Sequence, residues 1–486
     1  MWLKQKTIRF WAALLATISF ATLGLGGCAL PFFNTSSSES GMQGEASQDE
    51  SPELSEESSW ESGEDTRQKS VTVSKKKYVL VANEGNNAPV RCEKLDAKGY
   101  LDGEFDPDAT FEYVYDTNYL SIEEDGTMIP KLTGVKTFVT VWYGDASVRV
   151  EVFLTKLLTN GESGNEMLSY VQTYGRTYTK PRVEGGVSLY ADHIGSGVEI
   201  LFYGTSLKAD LSRNGNGYLC VFVDDETEYS KRFLVDGDKE YTVIDGLEEG
   251  WHTVKILKSS EYCDSQIIVE GFYADQFAAM PKKSEILVEF VGDSITTGFG
   301  SLGVSGDEWS LENSDGCLAY AFRAAMELDV DFSIIAKRGI CVKANSDQPM
   351  NDVYKMISPY NPEAYEFAKP ADVVVVNLGT NDADYVTSNL TYASVLPDDY
   401  YEFLSYVREK NPNAYVICIY GMIRKAPLVT DALTSAIERL NDPKIYYMDE
   451  FTPSDSGVEG HPSTAMQKRW GKDLAAEIRG LLGLEG

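Results

Sequence analysis

The chain has 486 residues, of which 43% are hydrophobic, and carries a formal net charge of -32 at pH 7. This length exceeds what one hydrophobic core usually holds, so we expect several domains. The strong negative charge argues against nucleic acid as a partner and against docking of the folded surface on an anionic membrane.

The N-terminus has the pattern of a secretory signal. Basic residues among the first nine precede an apolar run over residues 10–25, which is too short for a typical membrane span. The run ends in Leu25-Gly26-Gly27-Cys28, which resembles the lipobox of bacterial lipoproteins. This resemblance implies a signal peptide over residues 1–27 and lipidation of Cys28. We therefore expect an extracytoplasmic protein held at the bacterial cell surface by its lipid.

An acidic, serine-rich segment follows. Residues 31–66 contain ten Asp or Glu and ten Ser but no Lys or Arg. Such a composition cannot bury enough apolar surface to offset the entropy of ordering. We predict a disordered linker over residues 28–70.

Two all-β regions are predicted next. Residues 71–157 contain short alternating strands and a hairpin turn at Tyr143-Gly144-Asp145-Ala146. This region resembles bacterial Ig-like surface domains, which implies a spacer or adhesion module. Residues 165–283 contain regularly spaced strands and turns at residues 214–217 and 236–238. That spacing predicts a β-sandwich or jelly roll.

Residues 284–486 have the alternating pattern of an α/β domain. Short apolar runs occur at residues 286–291, 332–336, 373–378, 415–420 and 445–448, with helix-like segments between them. A continuous run such as the four valines at 373–376 needs cover on both faces. We predict a parallel sheet between two helical layers, with its ligand site at the carboxyl ends of the strands.

The loops at those strand ends carry the chemically active residues. Asp293 and Ser294 follow the first strand, Lys337-Arg338-Gly339 the second, and Gly379-Thr380-Asn381-Asp382 the third. His461, the only histidine of this domain, lies just before the last predicted helix. A serine needs a base to become a nucleophile, and His461 is the only imidazole available here.

These four segments together resemble the SGNH (GDSL-like) esterase superfamily. Its motifs are matched by Gly292-Asp293-Ser294, by Gly339, by Gly379-Thr380-Asn381-Asp382 and by His461-Pro462. The resemblance implies a three-layer, flavodoxin-like α/β fold, with Ser294 as nucleophile and His461 as base. It implies an oxyanion hole made by the N–H groups of Ser294 and Gly339 and the side chain of Asn381. No metal or cofactor is implied.

The resemblance continues upstream. Residues 195–200, Gly204-Thr205-Ser206-Leu207 and residues 250–254 are similar to the jelly roll that precedes the esterase domain in carbohydrate esterase family 2. The likeness covers residues 165 to 486. It implies deacetylation of plant polysaccharides such as acetylated xylan and glucomannan.

The sequence departs from the family near the histidine. Val458 stands where SGNH enzymes usually have an aspartate, three residues before His461. We therefore expect a Ser–His dyad whose imidazole is oriented by Glu459, through its main-chain oxygen or its carboxylate, or by Asp455. Gly460 replaces a frequent tryptophan, so Trp309, in the long loop after Ser294, is the candidate aromatic contact for substrate.

Other interpretations stay open. Gly298-Phe299-Gly300-Ser301-Leu302-Gly303 fits a dinucleotide-binding pattern, but the glycines start seven residues past the strand and no ribose-binding acid ends strand two. A glycan-binding protein without activity is one alternative. An esterase for other acyl groups, such as a lysophospholipase, a thioesterase or an envelope-glycan deacetylase, is another.

The remaining cysteines and histidines suggest structural roles. The six cysteines after Cys28 show no metal-binding spacing, and a Cys220–Cys263 disulfide is one pairing that the sequence permits. His252 shares a strand face with apolar residues and is expected to point inward with its hydrogen bonds satisfied. His193, in a polar turn, is expected to be exposed.

Overall fold

The computed structural model describes residues 67–75, 77–82, 89–156, 158, 167–183, 185–224, 226–343, 348–451, 455 and 457–484. The predicted signal peptide, Cys28 and nearly all of the predicted linker lie outside these residues. Within them, helices are too short or too polar to cross a bilayer.

Residues 69–156 form an all-β region, as predicted. Its first strand begins at Lys69, inside the last two residues of the predicted linker. The five-stranded sheet places Lys77–Ala82 parallel to Ala146–Lys156, which forms a long antiparallel hairpin with Val135–Tyr143. The other strands, which complete this sheet and two three-stranded ones, are Lys69–Thr72, Pro89–Arg91, Glu93–Lys94, Lys98–Leu101, Glu104–Asp106, Glu112–Tyr115, Leu120–Ile122 and Thr127–Pro130. The relation to Ig-like domains remains a prediction.

Residues 171–278 form the predicted sandwich of two antiparallel sheets. One sheet contains Val171–Tyr174, Gly197–Gly204, Gly250–Lys258, Gly217–Val223, Lys231–Val235 and Gln276–Ala278. The other contains Thr177–Pro181, Val187–Ala191, Gln266–Tyr273, Leu207–Asn214 and Lys239–Ile244. The sheets enclose an apolar core that includes Phe202, Val221 and Val254. A one-turn helix, Met167–Tyr170, precedes them.

The C-terminal domain has a five-stranded parallel sheet. Its strands are Leu287–Gly292, Asp331–Ala336, Val373–Asn377, Tyr415–Ile419 and Ile445–Met448, and the second strand along the chain lies at one edge, followed by the first, third, fourth and fifth. Every neighbouring pair is parallel. The helices are Tyr320–Leu328, Met350–Val353, Asp382–Ser388, Leu390–Lys410, Pro427–Leu440 and Thr464–Leu482. A separate apolar cluster covers each face of the sheet, as the buried valine run predicted.

A buried arginine of the sandwich enters the α/β domain. Arg176 is 1% exposed and donates to the carbonyl oxygens of Tyr354 and Met356, at 2.7 and 2.9 Å. It also pairs with Glu289, on the first strand of the parallel sheet, at 3.2 Å. The hydroxyl of Tyr354 donates to the other oxygen of Glu289 at 2.6 Å. This network fixes the sandwich against the α/β domain.

One expectation about an individual residue is wrong, and a disulfide that the sequence permits is absent. His193 is 1% exposed, because its turn is covered by the α/β domain, where its Nε2 lies 3.1 Å from the carbonyl oxygen of Ile357. Burial lowers the pKa of His193 to about 3. Cys220 is buried and Cys263 is exposed, and both are free thiols. His252 is satisfied as expected, through Asp224 and the carbonyl oxygen of Glu248, both at 2.8 Å.

Candidate active site

Ser294 lies just after the carboxyl end of the strand Leu287–Gly292, in a tight turn. The carbonyl oxygen of Asp293 accepts the N–H groups of both Thr296 and Thr297 at 3.1 Å. The carbonyl oxygen of Ser294 accepts the N–H of Phe299 at 3.2 Å. The side chain of Ser294 is therefore held on a rigid backbone while the residue remains 6% exposed.

The structure brings Ser294 and His461 together. The Oγ atom of Ser294 lies 2.8 Å from Nε2 of His461, although 167 residues separate them in the chain. The other ring nitrogen, Nδ1, lies 3.3 Å from the carbonyl oxygen of Val458. A carbonyl oxygen can only accept, so Nδ1 carries the proton and Nε2 is left as the acceptor for the serine hydroxyl. This is the arrangement that a general base requires.

The expected carboxylate orienters do not contact the ring. The Glu459 carboxylate accepts the N–H of Trp309 at 3.3 Å, and the Asp455 carboxylate accepts the hydroxyl of Ser463 at 2.5 Å. Ser463 in turn caps the helix Thr464–Leu482. The short 3-10 turn Val458–Gly460 directs a main-chain oxygen at Nδ1, and the two carboxylates accept hydrogen bonds from other donors. The main-chain oxygen of Val458 accepts from Nδ1, and the carbonyl of Glu459, which the sequence suggested, also acts on the ring.

Burial lowers the pKa of His461. The Val458 carbonyl and the charge and carbonyl of Glu459 oppose that shift. The imidazole also stacks on Phe299, with ring centroids 4.2 Å apart and planes inclined by 28°. The stacking contact with Phe299 therefore fixes the plane of the imidazole. The hydrogen bond to Val458 fixes the direction in which Nδ1 points within that plane.

The predicted oxyanion residues Gly339 and Asn381 follow the two strands that flank the strand of Ser294. Gly339 follows the strand Asp331–Ala336 with a φ of 74°, a left-handed conformation that favours glycine. Asn381 precedes the helix Asp382–Ser388, and its Nδ2 donates to the carbonyl oxygen of Ile340 at 2.9 Å. An amide nitrogen carries two N–H bonds, so one joins the two loops and the second is available to a ligand.

Two buried aspartates accept main-chain hydrogen bonds from the loops around the site. Asp293 is fully buried, and its Oδ1 accepts the N–H of Ile295 at 3.0 Å, whereas its Oδ2 has no hydrogen-bond partner among the described residues. Asp382 accepts the N–H of Val342 and the hydroxyl of Tyr392. Burial raises the pKa of Asp293 to about 7 and that of Asp382 to about 6, and each value lies well above the ordinary one.

Trp309 lies beside the site but is already in contact with protein. The guanidinium group of Arg338 sits over its ring at 4.3 Å, and Phe299 lies at 6.1 Å on a nearly parallel plane. The ring face under Arg338 is therefore not available to a sugar. The residue is only half-buried, and its role as a substrate contact remains a prediction.

The glycines of the dinucleotide-like pattern have a packing role. A Cβ atom at Gly300 would lie 2.4 Å from Cβ of Val458, and one at Gly303 would lie 2.4 Å from Cγ2 of the same residue. A Cβ atom at Gly298 would lie 2.1 Å from the carbonyl oxygen of Asp315. The pattern therefore makes room for the turn that carries His461, which accounts for it without a nucleotide.

Two clusters of described residues have ligand atoms close enough for a metal, namely Cys220, Asp315 and Cys317, and Glu261, Cys263 and Asp264. In each cluster an arginine forms ion pairs with the carboxylates. Arg232 lies 3.3 Å from Asp315, and Arg338 pairs with Glu261 and Asp264. Neither cluster contacts Ser294 or His461, and a metal-free, cofactor-free reaction remains our prediction.

The geometry agrees with comparisons to known families. Residues 183–281 match the family Carbohydrate esterase 2 N-terminal, and residues 290–477 match the GDSL-like Lipase/Acylhydrolase family. These segments correspond to the sandwich and to the parallel α/β domain that carries Ser294 and His461.

Individual relatives point the same way. The chain is 29% identical over 308 residues to the cellulase/esterase CelE of Acetivibrio thermocellus. This match covers 60% of this chain and 37% of CelE. It is 30% identical over 190 residues to the acetylxylan esterase/glucomannan deacetylase of Cellvibrio japonicus, covering 35% of this chain and 52% of that protein. The chain thus spans about half or less of the length of these curated relatives.

A solved structure extends the match over both domains. A family two carbohydrate esterase from Clostridium thermocellum, in complex with cellohexaose, is 27% identical and superposes with a TM-score of 0.58. The superposition covers 64% of this chain and 99% of that one. From the sandwich onward, this chain therefore has the two-domain architecture of family 2 carbohydrate esterases: a family 2 N-terminal domain followed by a GDSL-like hydrolase domain.

Proposed function

We propose that this protein is a serine esterase that removes O-acetyl groups from plant polysaccharides of the acetylated xylan and glucomannan type. The observation that carries the proposal is the 2.8 Å contact between Ser294 Oγ and Nε2 of His461, whose other nitrogen is held by a carbonyl oxygen. The choice of an acetylated polysaccharide is supported by the two curated relatives, a cellulase/esterase and an acetylxylan esterase/glucomannan deacetylase.

The first half-reaction transfers the acetyl group to the enzyme. Ser294 Oγ attacks the acetyl carbonyl carbon while its proton passes to Nε2 of His461. The carbonyl oxygen becomes negatively charged and accepts hydrogen bonds from the N–H groups of Ser294 and Gly339 and from the side chain of Asn381. The bond between the carbonyl carbon and the sugar oxygen then breaks, and His461 returns the proton to that oxygen.

The second half-reaction regenerates the serine. A water molecule gives a proton to His461 and attacks the acetyl-serine carbonyl carbon. The second oxyanion that forms accepts hydrogen bonds from the same donors as the first. The bond to Ser294 Oγ breaks, acetate leaves, and His461 returns the proton to the serine. Each step uses only this chain's own groups and water.

The decisive experiment compares the parent protein with Ser294→Ala. We expect the parent to hydrolyse p-nitrophenyl acetate and the variant to lose roughly ten-thousand-fold or more of kcat. Acetate release from acetylated xylan, acetylated glucomannan and O-acetylated peptidoglycan, measured side by side, identifies the substrate class. No turnover by the parent would favour a binding protein. Preference for longer acyl chains would favour a lipase-like or thioesterase activity, and release only from peptidoglycan an envelope-glycan deacetylase.

A second candidate function is binding of β-1,4-glucan chains at the same site. The similar structure with cellohexaose favours it. We expect cellohexaose to inhibit p-nitrophenyl acetate hydrolysis competitively if its site overlaps that of the ester. Binding by calorimetry without inhibition would place the glucan elsewhere on the protein.

We further propose that the protein acts at the bacterial cell surface, anchored in the membrane by lipid on Cys28. The support is the sequence pattern ending in Leu25-Gly26-Gly27-Cys28, followed by the long acidic segment. An anchor of two or more acyl chains would hold the protein stably. Labelling with radioactive palmitate tests this, and a Cys28→Ala protein that stays fully membrane-bound would contradict it.

A further inference from the structure

A single arginine joins the sandwich to the loop that carries Gly339. Arg338 directly precedes Gly339, and its main-chain N–H donates to Oε2 of Glu261 at 2.6 Å. Its guanidinium donates to Oε1 of Glu261 at 3.1 Å and to both oxygens of Asp264, at 2.8 and 2.7 Å. Both acids belong to the sandwich domain, in the loop between the strands Gly250–Lys258 and Gln266–Tyr273.

The loop that presents these acids is itself rigid. Glu261 is 4% exposed. The fully buried ammonium group of Lys258 donates to the carbonyl oxygens of Asp192, Ser260 and Glu261 at 2.6–3.0 Å. These bonds hold the main chain at Ser260 and Glu261, from which the Glu261 carboxylate extends to Arg338. A short charge-assisted hydrogen bond from such an acceptor constrains the main chain one residue away from Gly339.

The guanidinium of Arg338 also lies against a row of aromatic rings that ends at His461. Its guanidinium lies 4.3 Å from the ring centroid of Trp309, which neighbours Phe299 at 6.1 Å, and Phe299 stacks on His461 at 4.2 Å. Arg338 therefore contacts both halves of the site: the loop of the oxyanion donor Gly339, and the stack of rings that ends at the imidazole.

We propose that Glu261 and Asp264 of the sandwich are positioning residues for the esterase site and act through Arg338. This proposal rests on the proposed esterase function. Glu261 fixes the main chain before Gly339, and both acids hold the guanidinium over the ring of Trp309. The sandwich domain is thereby part of the catalytic apparatus, in addition to any contact it makes with polysaccharide.

The experiment measures kcat and KM on p-nitrophenyl acetate for Glu261→Gln and Asp264→Asn. We expect kcat to fall roughly ten- to a hundredfold for Glu261→Gln, since small displacements of catalytic groups have effects of this size. KM should stay within about twofold, because neither acid touches the small substrate. Asp264→Asn leaves the main-chain bond intact and should have the smaller effect.

Glu228→Gln is the matched control. Glu228 also belongs to the sandwich and also pairs across the same domain interface, with Arg323 at 2.7 Å and Lys468 at 2.8 Å. Its partners lie on helices rather than on an active-site loop, so kcat should be unchanged. If Glu228→Gln lowers kcat as much as Glu261→Gln, loosening of the interface is responsible and the positioning role is refuted.

A double-mutant cycle tests the route through Arg338. In an Arg338→Met background, Asp264→Asn should add little further loss, because the guanidinium that Asp264 holds is gone. Glu261→Gln should still lower kcat in that background, because the main-chain N–H of residue 338 remains. Fully additive losses for Arg338→Met and Asp264→Asn would refute the proposal, as would unchanged kcat in both Glu261→Gln and Asp264→Asn. A parent without Ser294-dependent turnover would instead refute the esterase function itself. Thermal melting of every variant separates loss of fold from loss of rate.

Discussion

The Nδ1 atom of His461 lies 3.3 Å from the main-chain oxygen of Val458, the residue at the position where related enzymes usually have an aspartate. A carbonyl dipole replaces the carboxylate that would otherwise hold the ring. It fixes the same tautomer as a carboxylate does, because both are acceptors at Nδ1. It provides less stabilisation of the imidazolium that forms in the transition state, since it carries no net charge.

The two nearby carboxylates should therefore be dispensable. We expect Glu459→Gln and Asp455→Asn each to keep kcat on p-nitrophenyl acetate within about threefold at pH 8, because neither contacts the ring. His461→Ala, measured beside them, should lose roughly ten-thousand-fold. A fall of several decades in either acid variant would mean that a carboxylate joins the dyad during the reaction.

The pH profile should report the buried imidazole. Burial lowers the pKa of His461 below its usual 6.5, and the base must be neutral to accept the serine proton. We expect the acid limb of kcat/KM to lie below pH 6.5. The charge of Glu459 opposes the shift, so Glu459→Gln should move the limb to still lower pH. A limb above pH 6.5, or one moved upward in Glu459→Gln, would contradict this account.

Close approach of Gly300 to the turn of Val458 should be essential to catalysis. An alanine at residue 300 places a Cβ 2.4 Å from Cβ of Val458 and must displace the turn that carries His461. We expect Gly300→Ala to lower kcat by roughly a hundredfold. Gly306→Ala is the control, because Gly306 also has a positive φ, at 100°, but a Cβ there meets no atom within 4 Å. Equal losses in both variants would point to backbone strain alone.

The order and fold of the catalytic domain were predictable from local pattern. The run of valines at 373–376 is buried on both faces, and the helix predicted after His461 is present as Thr464–Leu482. Ser294 and His461 could be paired by elimination, because the domain has only one imidazole. These inferences succeed because they depend on residue type and on the meeting of strand ends at one edge.

Features that depend on the main chain or on domain packing were not predictable. A carbonyl oxygen belongs to every residue, so nothing in the sequence distinguishes that of Val458. The Arg338–Glu261 contact joins residues 77 apart in the chain and in different domains. The position of Arg338 beside Gly339 was visible, but not its partners. The burial of His193 was not predictable for the same reason, since another domain covers its polar turn.

The pair Arg176–Glu289 should dominate the stability of the domain interface. Both side chains are at most 2% exposed, and Arg176→Met leaves the Glu289 charge buried with its cation removed. Such a change typically costs about 3–5 kcal/mol in free energy of unfolding, which urea denaturation can measure. Arg439→Met, which removes an exposed pair with Asp398, should cost at most about 1 kcal/mol. Similar costs in the two variants would contradict an interface held by this buried pair.

The buried carboxyl of Asp293 should make the folded protein less stable as pH rises. Burial raises the pKa of Asp293 from its ordinary 3.8 to about 7, so between these values the unfolded chain ionises the group while the folded chain keeps it protonated. The free energy of unfolding should then fall with increasing pH, by at most about 1.4 kcal/mol per pH unit, and level off above pH 7. Asp293→Asn should remove this contribution, and the smaller one of Asp382 should remain.

Urea denaturation at pH 4.5, 6 and 7.5 measures how the free energy of unfolding changes with pH in the parent and in Asp293→Asn. Asp125→Asn, at an exposed carboxylate of the N-terminal β region whose pKa is lowered by hydrogen bonds from Thr127, is the control and should leave the slope in this range unchanged. Equal slopes for the parent and Asp293→Asn would mean that the Asp293 carboxyl is ionised in the folded enzyme, with its unpaired oxygen satisfied by solvent.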